Sequence, residues 1–373
     1  MHGHLGIKRH ILLTGATGYI GGSVLARLLS HPQSDSFRIT VLVRDAQKGA
    51  QFRSMGIHSV VGTYSDLQLL EALTADANLV VACADADDED AARAILRGLK
   101  QRYDKTGEAS TLIHTSGTGV LIDNAQGMYA SDTIYSDLDI KQLESLPITQ
   151  PHRVVDVALV DADKQGYVKT YIILPGTIYG IATGSLVDAG LQNAHSQQIP
   201  RLVKLSLDRG RAGMVGEGKN IWPNVHIQDG IGFTFAYLSK NIDTMSFFTV
   251  TDLYILIVDS VVPHRTHSHG HSEKLVAPPP LEHGAAGFYF AENGEHTLYS
   301  VGEAIGKVMV SLKKCKEYTP TPFTEEETRK YFPDGTSLGT NSRCRADRAK
   351  AIGWKPRKTT KDMLASIKQE FKH

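Results

Sequence analysis

The stretch HILLTGATGYIGGSVLARLL, residues 10–29, sets an apolar run, three glycines at three-residue spacing and an amphipathic segment in direct succession. An apolar run of strand length that enters a glycine turn and leaves it as a helix leaves few folds open. Gly15 permits the sharp strand-to-helix turn, Gly18 lets backbone approach a pyrophosphate, and Gly21 lets the helix pack closely on the strand. The free N–H groups at the helix start then face a diphosphate. A glycine turn without a ligand is the competing reading, but the flanking strand and helix favour a dinucleotide site. Its expected contacts are Thr14, Gly15, Thr17, Gly18, Tyr19, Ile20 and Gly21.

Further apolar runs of strand length alternate with helix-length amphipathic segments at 38–43, 58–61, 78–82, 111–115 and 169–174. With residues 10–14 they predict an α/β protein with a doubly wound parallel sheet, the Rossmann arrangement. The 373 residues suffice for one large or two modest domains. We expect a dinucleotide-binding domain over 1–180, its sheet completed by about 222–290. The second half alternates less cleanly and carries more Gly, Pro and His, so 181–221 and 291–373 are expected to form a small substrate-binding lid.

Forty basic residues balance forty acidic ones, so no global field draws the chain to nucleic acid or an anionic membrane, and a small-molecule partner is the default. The three cysteines, Cys83, Cys315 and Cys344, lack C-x-x-C spacing, which argues against a disulfide framework or a structural zinc site. The N-terminal apolar run is already a strand entering the glycine turn, not a signal core. The apolar run at 253–262 is far shorter than the roughly 20 residues a bilayer needs. A cytoplasmic location is therefore expected.

The end of the second strand bears on which dinucleotide is bound. A carboxylate there accepts from a ribose 2′-hydroxyl, whereas a 2′-phosphate needs positive charge. The chain reads Val43-Arg44-Asp45-Ala46-Gln47-Lys48. Arg44 can fork onto a phosphate with Lys48 as a second charge, which favours NADP(H). Asp45, one position late, is the competing ribose partner.

Four further segments stand in order behind the glycine turn: Ile113-His-Thr-Ser-Gly-Thr118, Leu174-Pro-Gly-Thr-Ile-Tyr-Gly180, Val225-His-Ile-Gln-Asp229 and Arg348-Ala-Lys-Ala-Ile-Gly-Trp-Lys-Pro356. With them the chain resembles the extended short-chain dehydrogenase/reductase family, which includes NAD-dependent epimerases and dehydratases. The resemblance spans nearly the whole chain and is specific for fold, weak for substrate. It adds Ala84, Asp85, Thr115, Pro175, Gly176 and Ile178 to the expected cofactor contacts. It also implies a homodimer through the helix pair flanking the site.

In that family a Tyr-x-x-x-Lys pair moves the substrate proton, and a Ser or Thr completes the triad. Here none of the 14 tyrosines has lysine four residues on. The helix that should carry the pair is expected to start at Pro151, where His152 and Asp156 match the missing pair in spacing. A histidine can donate and accept a proton near neutral pH, with the carboxylate one turn on to orient it. The alternative is a helix-start histidine beside a solvated aspartate. Gly117 stands where the family often places the triad hydroxyl, leaving Ser116 or Thr118 to substitute. The leading expectation is NADP(H)-dependent oxidation or reduction of a carbonyl or alcohol on a small organic substrate. Against it stands an NADP(H)-binding protein without hydride transfer, serving as a redox sensor or a non-redox isomerase or cyclase.

Four other features bear on function. Residues 230–249 interrupt an otherwise continuous VHIQD-VTDLYILIVDS and lack helical periodicity, so an in-frame insertion, such as a retained intron, is expected there, with a lid element as the alternative. His264, His267, His269 and His271 have H-x-H spacing but no carboxylate or cysteine beside them, and no metal is expected. The acidic run at 84–90 suits the start of a helix. Arg343 and Arg345 could reach an anionic substrate group or serve only as surface charges, while Trp222 and Trp354 suit packing.

Overall fold

The computed structural model describes residues 8–228, 249–261 and 281–372. Seven parallel strands make the central sheet. They are β1 (Arg9–Thr14), β2 (Phe37–Val43), β3 (His58–Val61), β4 (Leu79–Ala82), β5 (Ser110–Thr115), β6 (Val168–Pro175) and, beyond β7 (Thr177–Tyr179) and β8 (Ile221–His226), β9 (Phe288–Ala291). Their order is β3-β2-β1-β4-β5-β6-β9, so the direction of winding reverses between β1 and β4. Ligands bind outside the carboxyl ends of the strands at such a switch point. The register brings those ends level, with Thr14 opposite Ala82, Ala82 opposite His114, and Thr115 opposite Ile173.

The strands read as continuous apolar runs because helices cover both faces. Helix α1 (Tyr19–Leu29) follows β1, α2 (Ala46–Ser54) follows β2, and α3 (Leu67–Thr74) packs on α4 (Glu89–Thr106), which in turn packs on α5 (Arg153–Lys164). Asp88 caps α4 by accepting from Ala91 N–H at 2.9 Å, and Gly107 ends it in the left-handed conformation. Glu89 and Asp90 fill its first turn, where the helix dipole favours negative charge.

A second core gathers residues from α6 (Gln198–Asp208), α8 (Leu298–Ser311) and α9 (Thr360–Glu370), including Leu202, Val203, Val301, Ile305, Met309, Met363 and Ile367. It sits beside a small sheet in which β8 pairs with β7 and, antiparallel, with β10 (Glu295–Thr297). Trp354 is fully buried and donates to the Thr249 carbonyl, and half-buried Trp222 donates to the Thr340 carbonyl.

Helix α7 (Val250–Val261) packs against α1. The expected insertion falls on residues outside the described ones except for Thr249, and the four histidines at 264–271 lie outside them too. The residues flanking that segment meet directly: the Thr251 hydroxyl donates to the Ile227 carbonyl at 2.8 Å. Thr249 caps α7 through Asp252, whose Oδ2 accepts from its backbone N–H at 2.8 Å. We propose that 230–249 is dispensable, because deleting it leaves Asp229, a favoured capping residue, next to Val250. A chain lacking 230–249 should keep its thermal midpoint within a few degrees and its nucleotide affinity. An unfolded deletion variant would refute this.

Candidate functional site

The glycine turn is shaped by close backbone contact. Gly15 has φ +75°, and a β-carbon there would lie 2.5 Å from the Cys83 carbonyl oxygen at the end of β4. Its own carbonyl accepts from Gly18 N–H at 2.8 Å, and a β-carbon on Gly21 would lie 2.3 Å from that oxygen. Gly18 is the N-cap of α1, no side chain caps the helix, and its first turn carries no acidic residue. The helix start thus presents backbone donors with no competing anion, which fits a pyrophosphate.

Around the turn, Thr14 accepts from Cys83 N–H at 3.2 Å, the Thr17 carbonyl accepts from Asn193 N–H at 3.0 Å, and the Tyr19 hydroxyl donates to the Gly180 carbonyl. Ile20 is half-buried. Arg44 is exposed at the end of β2, and Lys48 is half-buried on α2. The Asp45 carboxylate caps α2, accepting from Gln47 N–H at 2.7 Å and Lys48 N–H at 3.2 Å. Ala84 and Asp85 are exposed in the loop after β4, where Asp85 accepts from Asp87 N–H at 2.9 Å. Thr115 is buried and tied to the Tyr254 hydroxyl at 2.7 Å and to Cys83 Sγ. Pro175 ends β6, Ile178 is half-buried on β7, and a β-carbon on Gly176 would lie 2.6 Å from the Pro223 carbonyl.

The residues expected to move protons adopt a different pairing from the one the spacing suggests. Helix α5 begins at Arg153, and His152 is its N-cap at φ +66°. No hydrogen bond joins the imidazole to Asp156. Asp87 meets the imidazole instead: its Oδ1 accepts from His152 N–H at 2.9 Å and from Nδ1 at 2.8 Å. The other ring nitrogen, Nε2, lies 3.1 Å and 3.0 Å from where β-carbons on Gly117 and Gly119 would stand. The absence of a side chain at Gly117, where the family often has its hydroxyl, makes room for the ring.

Asp156 is fully buried and accepts from the Ser116 hydroxyl at 3.1 Å, with Oδ1 unpartnered. Burial pushes its carboxyl up to about 7, against the lowering pull of Ser116 and of Arg153. Asp156 is thus neither solvated nor the partner of His152. Thr118 is buried with Oγ1 unpartnered, and its carbonyl accepts from Ser342 Oγ. Nearby His114 is fully buried, and burial pushes it down to about 4.

Sequence reasoning missed Asp87. It lies in the acidic run assigned to the helix dipole, a role that Asp88, Glu89 and Asp90 do fill. The two arginines near the C-terminus are already paired, Arg343 with Glu295 at 2.8 Å and Arg345 with Asp347 at 3.2 Å. No group of metal-ligating side chains occurs among the described residues, and no described helix is long and apolar enough to cross a membrane. A groove of about 910 Å³ runs over the outer face of α4 and α5, past Arg97, Lys100, Val154 and Ala158. It includes none of the residues at the strand ends.

Residues 15–130 match the sequence model of an NAD(P)H-binding family. An oxidase from an Acremonium species, named oxidase ucsJ, is 29% identical over 94% of this chain and 93% of its own length. Among solved structures, UDP-glucose 4-epimerase from Thermotoga maritima, crystallised with UDP-glucose, is 13% identical, with TM-score 0.58 over 97% of this chain and 98% of its own. The Thermus thermophilus UDP-glucose 4-epimerase, in complex with NAD, is 15% identical, with TM-score 0.57 over 97% and 99%. Residues 15–130 thus match an NAD(P)H-binding model, and the chain as a whole has the fold of these epimerases.

Proposed function

We propose that the protein is an NADP(H)-dependent oxidoreductase acting on an alcohol or carbonyl of a small organic substrate. The carrying observation is that His152 Nε2 and the Ser116 hydroxyl both sit at the carboxyl end of β5, on the side of the sheet that holds the glycine turn. The oxidase among its relatives points to the same reaction class. NADP(H) is favoured over NAD(H) because Arg44 is exposed where a 2′-phosphate would lie, while Asp45 is engaged in capping α2.

The bound nicotinamide would supply or accept the hydride. Ser116 holds the substrate oxygen and His152 carries its proton, released in reduction and taken up in oxidation. Asp156 stands four residues after His152, as the family's lysine stands after its tyrosine, without that lysine's positive charge. The alternative, nucleotide binding without hydride transfer, draws on this difference.

NADPH should bind at least 10-fold more tightly than NADH in calorimetric titration, since a charge-assisted contact to the extra phosphate contributes about 1.5–3 kcal/mol. His152→Ala should lower NADPH consumption with a panel of carbonyl substrates by 100-fold or more and leave NADPH affinity unchanged. An unchanged rate in His152→Ala, or NADPH binding without turnover of any carbonyl or alcohol, would move the assignment to the alternative.

A further inference from the structure

We infer that Asp87 is the positioning residue for His152: it fixes the imidazole tautomer so that Nε2 alone exchanges a proton with the substrate oxygen. The inference deepens the oxidoreductase reading and rests on it for the identity of the proton's destination. The contact itself rests on geometry alone.

Two hydrogen bonds converge on one oxygen. Asp87 Oδ1 accepts from the His152 backbone N–H at 2.9 Å and lies 2.8 Å from Nδ1. A carboxylate can only accept, so Nδ1 carries the hydrogen and, in the neutral ring, Nε2 keeps the lone pair. The backbone contact holds His152 at the N-cap of α5 in its left-handed conformation. The same oxygen therefore sets both where the ring starts and which way it faces. Nε2 then looks across Gly117 and Gly119, where β-carbons would come within 3.1 Å and 3.0 Å of it. Neither glycine offers a side chain to occupy that nitrogen.

No other carboxylate takes this role among the described residues. Asp156, one helical turn on, is buried and accepts from Ser116. Asp85 accepts from Asp87 N–H, and Asp88 caps α4, so the loop after β4 holds Asp87 from both sides. The imidazole is only 20% exposed, while the Asp87 side chain is 61% exposed. Substitutions at Asp87 should therefore leave the core intact.

In oxidation, Nε2 takes the hydroxyl proton of the substrate. The electron pair left on oxygen becomes the second C–O bond as hydride leaves the carbon to the nicotinamide co-reactant. Reduction returns the same proton from the Nε2 side of the imidazolium. Asp87 keeps its charge throughout and never takes the proton.

Long-range proton–nitrogen correlation spectra of the full chain, labelled on histidine and assigned with His152→Ala, test this with and without NADP⁺. In the wild type, the neutral form of His152 is expected to carry its hydrogen on Nδ1. Asp87→Asn should preserve that tautomer, because the amide oxygen still accepts. Asp87→Ala should shift it toward Nε2–H and lower kcat on the order of 100-fold with little change in KM. Wild-type protonation at Nε2, or an unchanged tautomer in Asp87→Ala, would overturn the proposal. If the tautomers behave as expected but wild type transfers no hydride, the oxidoreductase reading fails while the Asp87–His152 contact stands.

Discussion

Gly15→Ala should abolish nucleotide binding and destabilise the domain by about 2–5 kcal/mol, adding a left-handed backbone penalty of about 1–2 kcal/mol to overpacking of about 1–3. At φ +75° the new methyl would stand 2.5 Å from the Cys83 carbonyl oxygen and 2.9 Å from the Ala84 backbone nitrogen. Those backbone atoms follow directly on β4, the strand beside β1 at the switch point, and cannot swing aside as a flexible side chain would. The displaced turn would carry the Gly15 carbonyl, which holds Gly18 and abuts Gly21, away from the start of α1. Gly56→Ala is the matched control, because Gly56 has φ +80° but nothing within 4 Å of the added carbon. It should cost only the backbone penalty, about 1–2 kcal/mol, and leave NADPH affinity unchanged. Thermal unfolding and NADPH titration of both variants separate the two contributions. Equal losses of stability and affinity in Gly15→Ala and Gly56→Ala would show that conformation alone, not contact with β4, governs the turn.

This turn is legible in the sequence because the glycines report local backbone geometry and their context is local too. The same holds for the first six strands. The expected run at 10–14 is Arg9–Thr14, that at 78–82 is Leu79–Ala82, and that at 169–174 is Val168–Pro175. The seventh strand, Phe288–Ala291, is legible only as part of the expected completion of the sheet within about 222–290, because its partner β6 lies more than a hundred residues earlier. The residues expected to move protons do not pair as their spacing suggests. Equal spacing with a Tyr-x-x-x-Lys motif suggests that His152 and Asp156 share a helix face, which holds only if both are helical. His152 is at positive φ outside the helix, so the i, i+4 relation has no side-chain consequence. Asp87 lies 65 residues from His152 and Ser116 lies 40 from Asp156. Adjacency of β4, β5 and α5 makes both pairs, and no sequence window contains it.

Asp156→Asn should stabilise the protein at pH 8 and leave its stability at pH 4 nearly unchanged. The buried carboxyl is pushed from its ordinary 3.8 to about 7, chiefly by desolvation. A folded-state value above the unfolded one means that the folded protein holds the proton more tightly, so stability falls as pH rises. The loss begins near pH 4, where the unfolded chain releases the proton, and is complete above about pH 7, where the folded chain does. A tenfold difference in proton affinity between the two states is worth about 1.4 kcal/mol, so the wild-type penalty at pH 8 approaches about 4 kcal/mol as an upper bound. Asparagine carries no charge, keeps the shape and retains an acceptor for Ser116. Other groups displaced by burial, such as Asp137 at about 6, titrate in both proteins and largely cancel from the comparison. Urea unfolding of both proteins at the two pH values gives the difference, and equal effects at pH 4 and pH 8 would sink the argument. The same switch bears on the proposed chemistry. Ionised Asp156 only accepts, which ties the Ser116 hydrogen inward; the protonated acid can donate to Ser116 Oγ and free that hydrogen for a substrate oxygen. The asparagine amide can donate in the same way, so Asp156→Asn should hold its carbonyl-reducing rate at pH 8, where wild type loses Ser116 as a donor.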